Sequence, residues 1–513
     1  MAAVADDLLA AGPLTRAEQR RIAQAEGLTA ECRSELGQYF TPAPIARLLA
    51  DMFEPPEGRV RVLDPGAGVG SLSAALVERA ASEGWHCLLD VTALEVDDRL
   101  LEGLEATLSD CCDVMPSVQG RVEHSDFLTW AAAQAAPEMF QRERLPFDLV
   151  IMNPPYGKLR TASATHERLR RLGVRTSNLY SAFVWLASRL LVPGGQLVAI
   201  TPRSFCNGSY FRPFRQALLD DCVLRDIHVF ESRDTAFRDG AVLQENIIFR
   251  IVRSAQRPPV QIAVSSGSGL DEPRRHEVSA DSVVHPKDPR LFIRIPEDPA
   301  SVVLAEHVGG LPQTLAGLGV TASTGRVVDF RSREHLREDC DGDGDAIPLI
   351  YPGHLRRGRI NWPGESNSKP CAIAVTPATK GMFLPSGEYV LVKRFSSKEE
   401  RRRVVAAVLE SLDLPSDVVA MENHVNVLHV SNRGMERYLA WGLAAYLNST
   451  IVDLFFRQFN GHTQVNAADL ESLRYPDVQS LLALGAEARS ANFEQAATDL
   501  LVERHVPALE GVR

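Results

Sequence analysis

The sequence contains no apolar run near the roughly 20 residues that a bilayer-spanning helix needs, so an integral membrane protein is not expected. Its opening residues, MAAVADDLLAAGPLTRAEQRR, lack the basic-then-apolar order of a secretory signal, and a cytoplasmic location is the expectation. Cysteine is sparse, with eight in 513 residues, no CxxC pair and no Cys/His cluster at zinc spacing. Cys111 and Cys112 are adjacent and cannot form an ordinary bridge, so free thiols in a reducing compartment and no metal site are expected. Basic charge is also short: the formal net charge is −11, which disfavours nucleic-acid binding over the whole surface. Net charge is an average, however, and a local basic surface is enough for binding. No internal repeat is present. The segment DCDGDGDAIP (Asp339 to Pro348) carries the acids of a calcium loop without its closing glutamate, and reads as an exposed acidic loop.

What is present is the ordinary balance of a globular chain, 45% hydrophobic and 24% charged, long enough for two or three domains. After a charged helical pattern over residues 1–34, Pro42 and Pro44 open a helix whose apolar face is Ile45, Leu48, Leu49 and Met52. Strand and helix patterns then alternate. RVRVLD is followed by SLSAALVERAAS with Ser71 as its cap, and LLDVTALEV by DRLLEGLEATLSD. Next come FDLVIMN, NLYSAFVWLASRLL, GQLVAITP and SYFRPFRQALLDD, and the series closes with VLRDIHVF and VLQENIIFRIV. Such alternation predicts a mainly parallel sheet covered by helices, an α/β domain over 35–253. A stretch rich in Pro, Gly and Ser marks a boundary over 254–290. Short strand-like runs fill a second, α+β domain over 291–476, and a helical tail over 477–513 ends the chain.

DPGAGVGSL places Asp64, Gly66, Gly68 and Gly70 between a strand and a helix, where glycine permits a tight turn and close approach to a ligand. The spacing is GxGxG rather than the dinucleotide GxGxxG. Asp64 at the strand end would repel phosphates and suits a cationic ligand. Glu95, ending the next strand, can accept two hydrogen bonds from ribose hydroxyls. S-adenosylmethionine has the ribose and the positive charge and carries no phosphate. Asp126 follows a further strand end and could accept from the adenine amine, or cap a helix instead; Phe127 beside it could pack on the adenine ring.

The stretch FDLVIMNPPYGK ends a buried strand with two prolines, neither of which can donate to a sheet. In a parallel sheet this turn lies in the same crevice as the glycine turn. The Asn153 side-chain oxygen and the Pro154 carbonyl are acceptors that could grip the two hydrogens of an exocyclic amine, steering its lone pair toward a methyl donor. Tyr156 offers a flat face for a base, and Pro155 with Pro154 holds the turn rigid. Nothing in this pattern asks for a covalent nucleophile.

GQYFTP, DPGAGVGSL and NPPYGK, in that order over residues 35–250, resemble the amino-methylating DNA methyltransferases of the gamma arrangement. The stretch NSTIVDLFFRQFNGHTQVNAADLESLRYP is similar to the end of the recognition domain in BsuBI/PstI-type modification enzymes. This resemblance implies a Rossmann-like S-adenosylmethionine-dependent catalytic domain with a mixed, mainly parallel sheet and a C-terminal target-recognition domain. Thr41 and Pro42 would lie near the methionine part of the donor. NPPY implies adenine N6 rather than cytosine N4. An aromatic on the other face of a flipped base is implied at Phe237, with Phe230 the fallback. A palindrome such as CTGCAG, a cognate restriction endonuclease and a nucleoid-associated, cytoplasmic enzyme are implied as well.

Holding a duplex needs cations, and residues 350–403 supply eleven Lys/Arg against four Asp/Glu. Arg356, Arg357, Arg359, Lys393 and Arg394 are the expected DNA contacts, and His462 in NGHTQVN is another. Arg401 to Arg403 read instead as a solvated helix face. The rival readings are methylation of cytosine N4, of RNA or of a protein amide. A restriction–modification fusion would need a nuclease carboxylate–lysine set, which is not found. A non-catalytic DNA-binding protein would not need Asp64, Asn153 and Tyr156 intact.

Overall fold

Strand β1 (Gly58–Pro65) alternates exposed and buried residues in its outer half and is buried throughout from Val62, the pattern of a strand entering a sheet covered on both faces. The computed structural model in which this is seen describes residues 11–27, 40–135, 146–159, 164–231, 245–265, 272–286, 288–338, 345–356, 358–364, 369–396, 400–460, 463–491, 493–509 and 511. It divides into two units, Met1–Lys287 and Asp288–Arg513.

In the first unit β1 pairs in parallel with β2 (Cys87–Glu95) on one side and β4 (Phe147–Met152) on the other. β3 (Val118–His124) extends the sheet beyond β2, and β5 (Leu191–Pro202) extends it beyond β4, both parallel. β7 (Asn246–Val252) is antiparallel and lies between β5 and β6 (Val223–Phe230). With β8 (Val260–Ser265) and β9 (Arg274–Val278) beyond β6, the nine-stranded order among the described residues is β3-β2-β1-β4-β5-β7-β6-β8-β9. Because strand order reverses at β1, the carboxyl ends of β1 and β4 open a crevice between them. The apolar residues alternate into one core, with Val62, Leu76, Leu89, Ile151, Val198 and Ile248 fully buried. The Pro13–Gly27 helix is tied on by Arg16 and Arg20, which both pair with Asp110.

The expected boundary segment is not irregular. Residues 254–290 contain β8 (Val260–Ser265) and β9 (Arg274–Val278), which complete the sheet beside β6, and the division falls at Lys287. Alternation in VQIAV and RRHEV is short and flanked by turn residues, so composition masked it. The tail is not separate either. Leu481, Leu484 and Val502 lie in the same core as Trp441, Tyr446 and Phe456 of the second unit.

That unit is α+β, with one six-stranded and one five-stranded sheet. Its core helices, Arg437–Leu447 and Thr450–Phe459, are apolar because they are enclosed, and no single described helix is long and apolar enough to cross a membrane. The expected solvated helix at Arg401–Arg403 is a correction. No helix forms there, and Arg403 is buried with its guanidinium on the Ser396 carbonyl and Asn460 Oδ1. A planar guanidinium can satisfy several buried acceptors at once, which a count of charges cannot reveal. A second correction concerns the thiols. Cys371 is disulfide-bonded, while Cys87, Cys111, Cys112, Cys206 and Cys222 are free. Residues 339–344 of the acidic loop lie outside the described residues.

Helices Arg437–Leu447 and Val478–Ala488 meet through glycine. A Cβ on Gly485 would lie 1.8 Å from the Tyr438 carbonyl oxygen, and one on Gly442 would lie 2.0 Å from that of Leu481. Gly485→Ala therefore forces the helices apart and is expected to cost about 3 kcal/mol, the upper range for overpacking. Urea unfolding of the full chain measures it.

Candidate active site

The glycine turn is built by main-chain bonds to β2. The amides of Gly66 and Ala67 both donate to the Leu94 carbonyl, at 2.9 and 2.8 Å. Gly66 (φ 74°) and Gly68 (φ 59°) adopt left-handed backbone that side-chain-bearing residues avoid. A Cβ on Gly68 would sit 3.6 Å from the Phe40 ring, and one on Gly66 would sit 3.7 Å from the Phe183 ring. The missing side chains leave a cleft lined by Phe40, Thr41, Gly66 to Val69, Glu95, Val96, Leu100, Asn153, Pro155 and Phe183. Ser71 is the first residue of the following helix rather than its cap; Gly70 holds the cap position.

Two acids support this cradle differently. Glu95 Oε2 accepts from the Gly68 amide at 2.8 Å, and Oε1 accepts from Val96 and Asp97 at 2.9 Å each. Glu95 thus fixes the glycine turn while lining the cleft. Asp64 is fully buried; its Oδ2 accepts from Ser73 Oγ at 2.7 Å, and Oδ1 is buried with no hydrogen-bond partner among the described residues. Burial pushes the Asp64 carboxyl up to about 7, the Ser73 bonds oppose this, and the nearby Glu95 charge adds to it. A buried acid short of partners beneath an open cradle fits a cationic ligand.

The chemical half arrives on β4. Asn153 follows Met152 directly and lines the cleft. Its Nδ2 donates to Thr41 Oγ1 at 3.0 Å, across 112 positions of sequence. Thr41 is itself held. Pro42 caps the Ala43–Ala50 helix, and the Ala43 amide donates to Glu18 of the N-terminal helix at 3.1 Å. Downstream, the Leu179 amide donates to the Gly157 carbonyl and the Leu159 amide to that of Ser177, so the NPPYGK turn is pinned to the chain entering the next helix. Pro154 is buried, and the half-buried Tyr156 ring meets Tyr180 edge-on at 6.4 Å.

Thr41, Gly66, Gly68, Glu95, Asn153 and Pro155 therefore share one cleft, with Asp64 beneath it. Two expected residues do not join them. Asp126 Oδ2 accepts from Thr129 N and Oγ1, so this acid caps the Phe127–Ala135 helix. Phe127 is buried in the core, 4.8 Å from Phe183, and it is Phe183 that faces the cleft. Phe183 sits in a helix that is apolar on all sides, so no periodicity singled it out. Phe230 is a core residue against His228, and Phe237 lies outside the described residues. In the second unit Arg356 is exposed and Lys393 and Arg394 are half-buried. Arg359 is exposed, with its guanidinium over Trp441 at 4.5 Å and donating to the Arg489 carbonyl. Arg357 and His462 lie outside the described residues.

Residues 26–98 match the N-6 DNA Methylase family and residues 101–237 the Eco57I restriction-modification methylase family. Over 478 residues the chain is 40% identical to Type II methyltransferase M.PstI of Providencia stuartii, covering 92% of this chain and 93% of that protein. Over 456 residues it is 41% identical to Type II methyltransferase M.BsuBI of Bacillus subtilis, covering 88% and 90%. Among solved structures, the Type IIL restriction-modification enzyme MmeI in complex with DNA shares the fold at a TM-score of 0.52 and 10% identity, covering 91% of this chain and 71% of that one.

The buried Asp64 makes stability depend on pH. Its folded pKa lies above the ordinary 3.8, so stability is fully present below that value and is lost as pH rises toward about 7. The full loss is about 4 kcal/mol. Asp64→Asn is expected to be more stable than the parent in urea at pH 8, with the difference shrinking by pH 5.

Proposed function

The chain belongs to the family of Type II DNA methyltransferases that includes M.PstI and M.BsuBI, and from that premise we propose how its residues carry the reaction. It is a site-specific adenine-N6 DNA methyltransferase, the modification component of a restriction-modification system. The family uses S-adenosylmethionine, and the cradle suits it. Gly66 to Val69 supply close-approach backbone, Glu95 can accept from ribose hydroxyls, Asp64 favours positive charge, and Phe183 and Val96 give apolar walls. When bound there, this cofactor supplies an electrophilic methyl group.

The observation that carries the mechanism is the Asn153–Thr41 bond beside the glycine cradle. An amide can present either a donor or an acceptor, and only an acceptor suits an amine. With Nδ2 on the Thr41 hydroxyl, the amide is anchored and Oδ1 is left as the acceptor. The Pro154 carbonyl is the second acceptor along the chain. Together they hold the two amino hydrogens of adenine, aim the nitrogen lone pair, and oppose the positive charge that develops on it. Tyr156 stacks on the base. An adenine inside a duplex cannot reach such a crevice and is rotated out, at a cost of about a few kcal/mol. The second unit supplies compensating contacts, for which the exposed Arg356 and Arg359 and the half-buried Lys393 and Arg394 are the candidate cations. The partners are duplex DNA and a cognate endonuclease acting on the same site, in the cytoplasm.

Asn153→Ala is expected to abolish methyl transfer while donor binding, followed by calorimetry, stays near the parent value. Nucleoside mass spectrometry of modified plasmid DNA reads the product; N4-methylcytosine alone would overturn the base assignment. Thr41→Val, which loses one hydrogen bond to the amide, is expected to lower kcat roughly tenfold. Thr41→Ser should retain activity, and a loss confined to donor KM would place Thr41 on the donor instead.

A further inference from the structure

The second unit brings three distant segments together at one end of its six-stranded sheet. Strands Tyr389–Lys393 and Val425–His429 are antiparallel, with Lys393 opposite Val425. Arg394 and Phe395 therefore leave the sheet where Asn423 and His424 enter it. The Arg394 amide donates to the His424 carbonyl at 2.9 Å, and Arg394 Nη1 to the Asn423 carbonyl at 3.0 Å. The third segment docks on the first. The Val465 amide donates to the Arg394 carbonyl, the Ser396 amide to that of Thr463, and Phe395 bridges Gln464.

On this scaffold Phe395 is 42% exposed. Its ring lies 4.8 Å from that of His424, and the Arg394 guanidinium sits 5.9 Å from it. His424 is oriented from behind. Its Nδ1 and backbone amide both bond the buried Glu422 carboxylate, which turns Nε2 away from Glu422. Phe395 is partly open to water, as Phe330 also is, and forgoes the burial that holds most aromatics of this unit; of the two, only Phe395 has its ring beside a histidine as well as an arginine among the described residues. Flanked by the Arg394 guanidinium, a donor, and by His424 Nε2, left as an acceptor because Nδ1–H is on Glu422, it forms a surface on which a planar base can stack while its edge is hydrogen-bonded. A protein partner would not need the local charge. Residues 350–403 carry eleven Lys/Arg against four Asp/Glu inside a chain of net charge −11, which matches a polyanion.

We propose that Arg394, Phe395 and His424, gathered at this sheet end, contact base edges of the target duplex and set which sequence is modified. The inference rests on the reading of the chain as a DNA methyltransferase. Phe395 packs on a base face or a thymine methyl, Arg394 donates to an acceptor beside it, and His424 Nε2 accepts from a base amino group.

The test uses plasmid DNA treated with the full-length parent, Phe395→Ala or His424→Gln, and sequencing that detects N6-methyladenine. Donor calorimetry and urea unfolding show that each variant is folded and loaded. The expected result is a roughly tenfold or larger fall in kcat/KM on DNA for Phe395→Ala, the loss of one stacked base. At least one position of the modified sequence should also lose its base requirement in that variant or in His424→Gln. An unchanged modified sequence in both variants overturns the proposal: a slower rate would then make the patch a backbone contact, and an unchanged rate would leave it to a protein partner. Absence of N6-methyladenine with the parent enzyme would instead overturn the DNA-methyltransferase reading on which the proposal rests.

Discussion

Parallel pairing of β1 with β2 on one side and β4 on the other is the constraint from which the catalytic unit follows. It sets the ends of three strands side by side, so that Asp64, Glu95 and Asn153 meet although they are far apart in sequence. Parallel strands require crossovers, and the crossover helices cover both faces of the sheet, which keeps the strands apolar and the carboxyl edge open. The glycine turn is the first crossover and the NPPY turn begins a later one. Neither would have a function if β4 paired elsewhere.

Charge in this site is arranged for a cation. Glu95 is satisfied by three backbone amides, one of them from the glycine turn, so it is both a brace and an acceptor. Asp64 has only Ser73 and is driven toward its neutral form by burial. The protein thus keeps a carboxyl where burial makes its charge costly. Such a group is better matched when a positive ligand lies above it, and the same placement works against phosphates. Asn153 is not part of that electrostatic pair. It depends instead on Thr41, which is anchored through Pro42 and through the Ala43 amide on Glu18. The donor-side motif therefore also orients the target-side amide.

The second unit handles its arginines in three ways, which is why a basic count could locate the unit's role without locating its contacts. Arg403 is consumed inside the core. Arg359 is stacked on Trp441. Arg394 is half-buried and shares its surroundings with an exposed aromatic. The sequence set Arg359 and Arg394 together as expected DNA contacts and Arg403 apart as solvated, and none of the three was expected inside a core. A guanidinium is planar and can bond carbonyls, stack on rings or meet phosphates, and only the surrounding elements choose among these.

Local chemistry was legible from the residues alone. Positive-φ glycines, strand-ending prolines and acids at strand ends are short-range steric and hydrogen-bonding preferences, so DPGAGVGSL, LEV and NPPYGK marked a glycine turn, an acid and an amide that the fold brings to one cleft. Strand and helix alternation also gave the parallel sheet, because periodicity records which face of an element is buried. Long-range pairing was not legible. That Phe183 rather than Phe127 faces the cleft, that β8 and β9 finish the sheet, and that Phe395 meets His424 all depend on which elements pack together. Those choices are made by burial and register summed over the whole fold, and no window of neighbouring residues contains that sum.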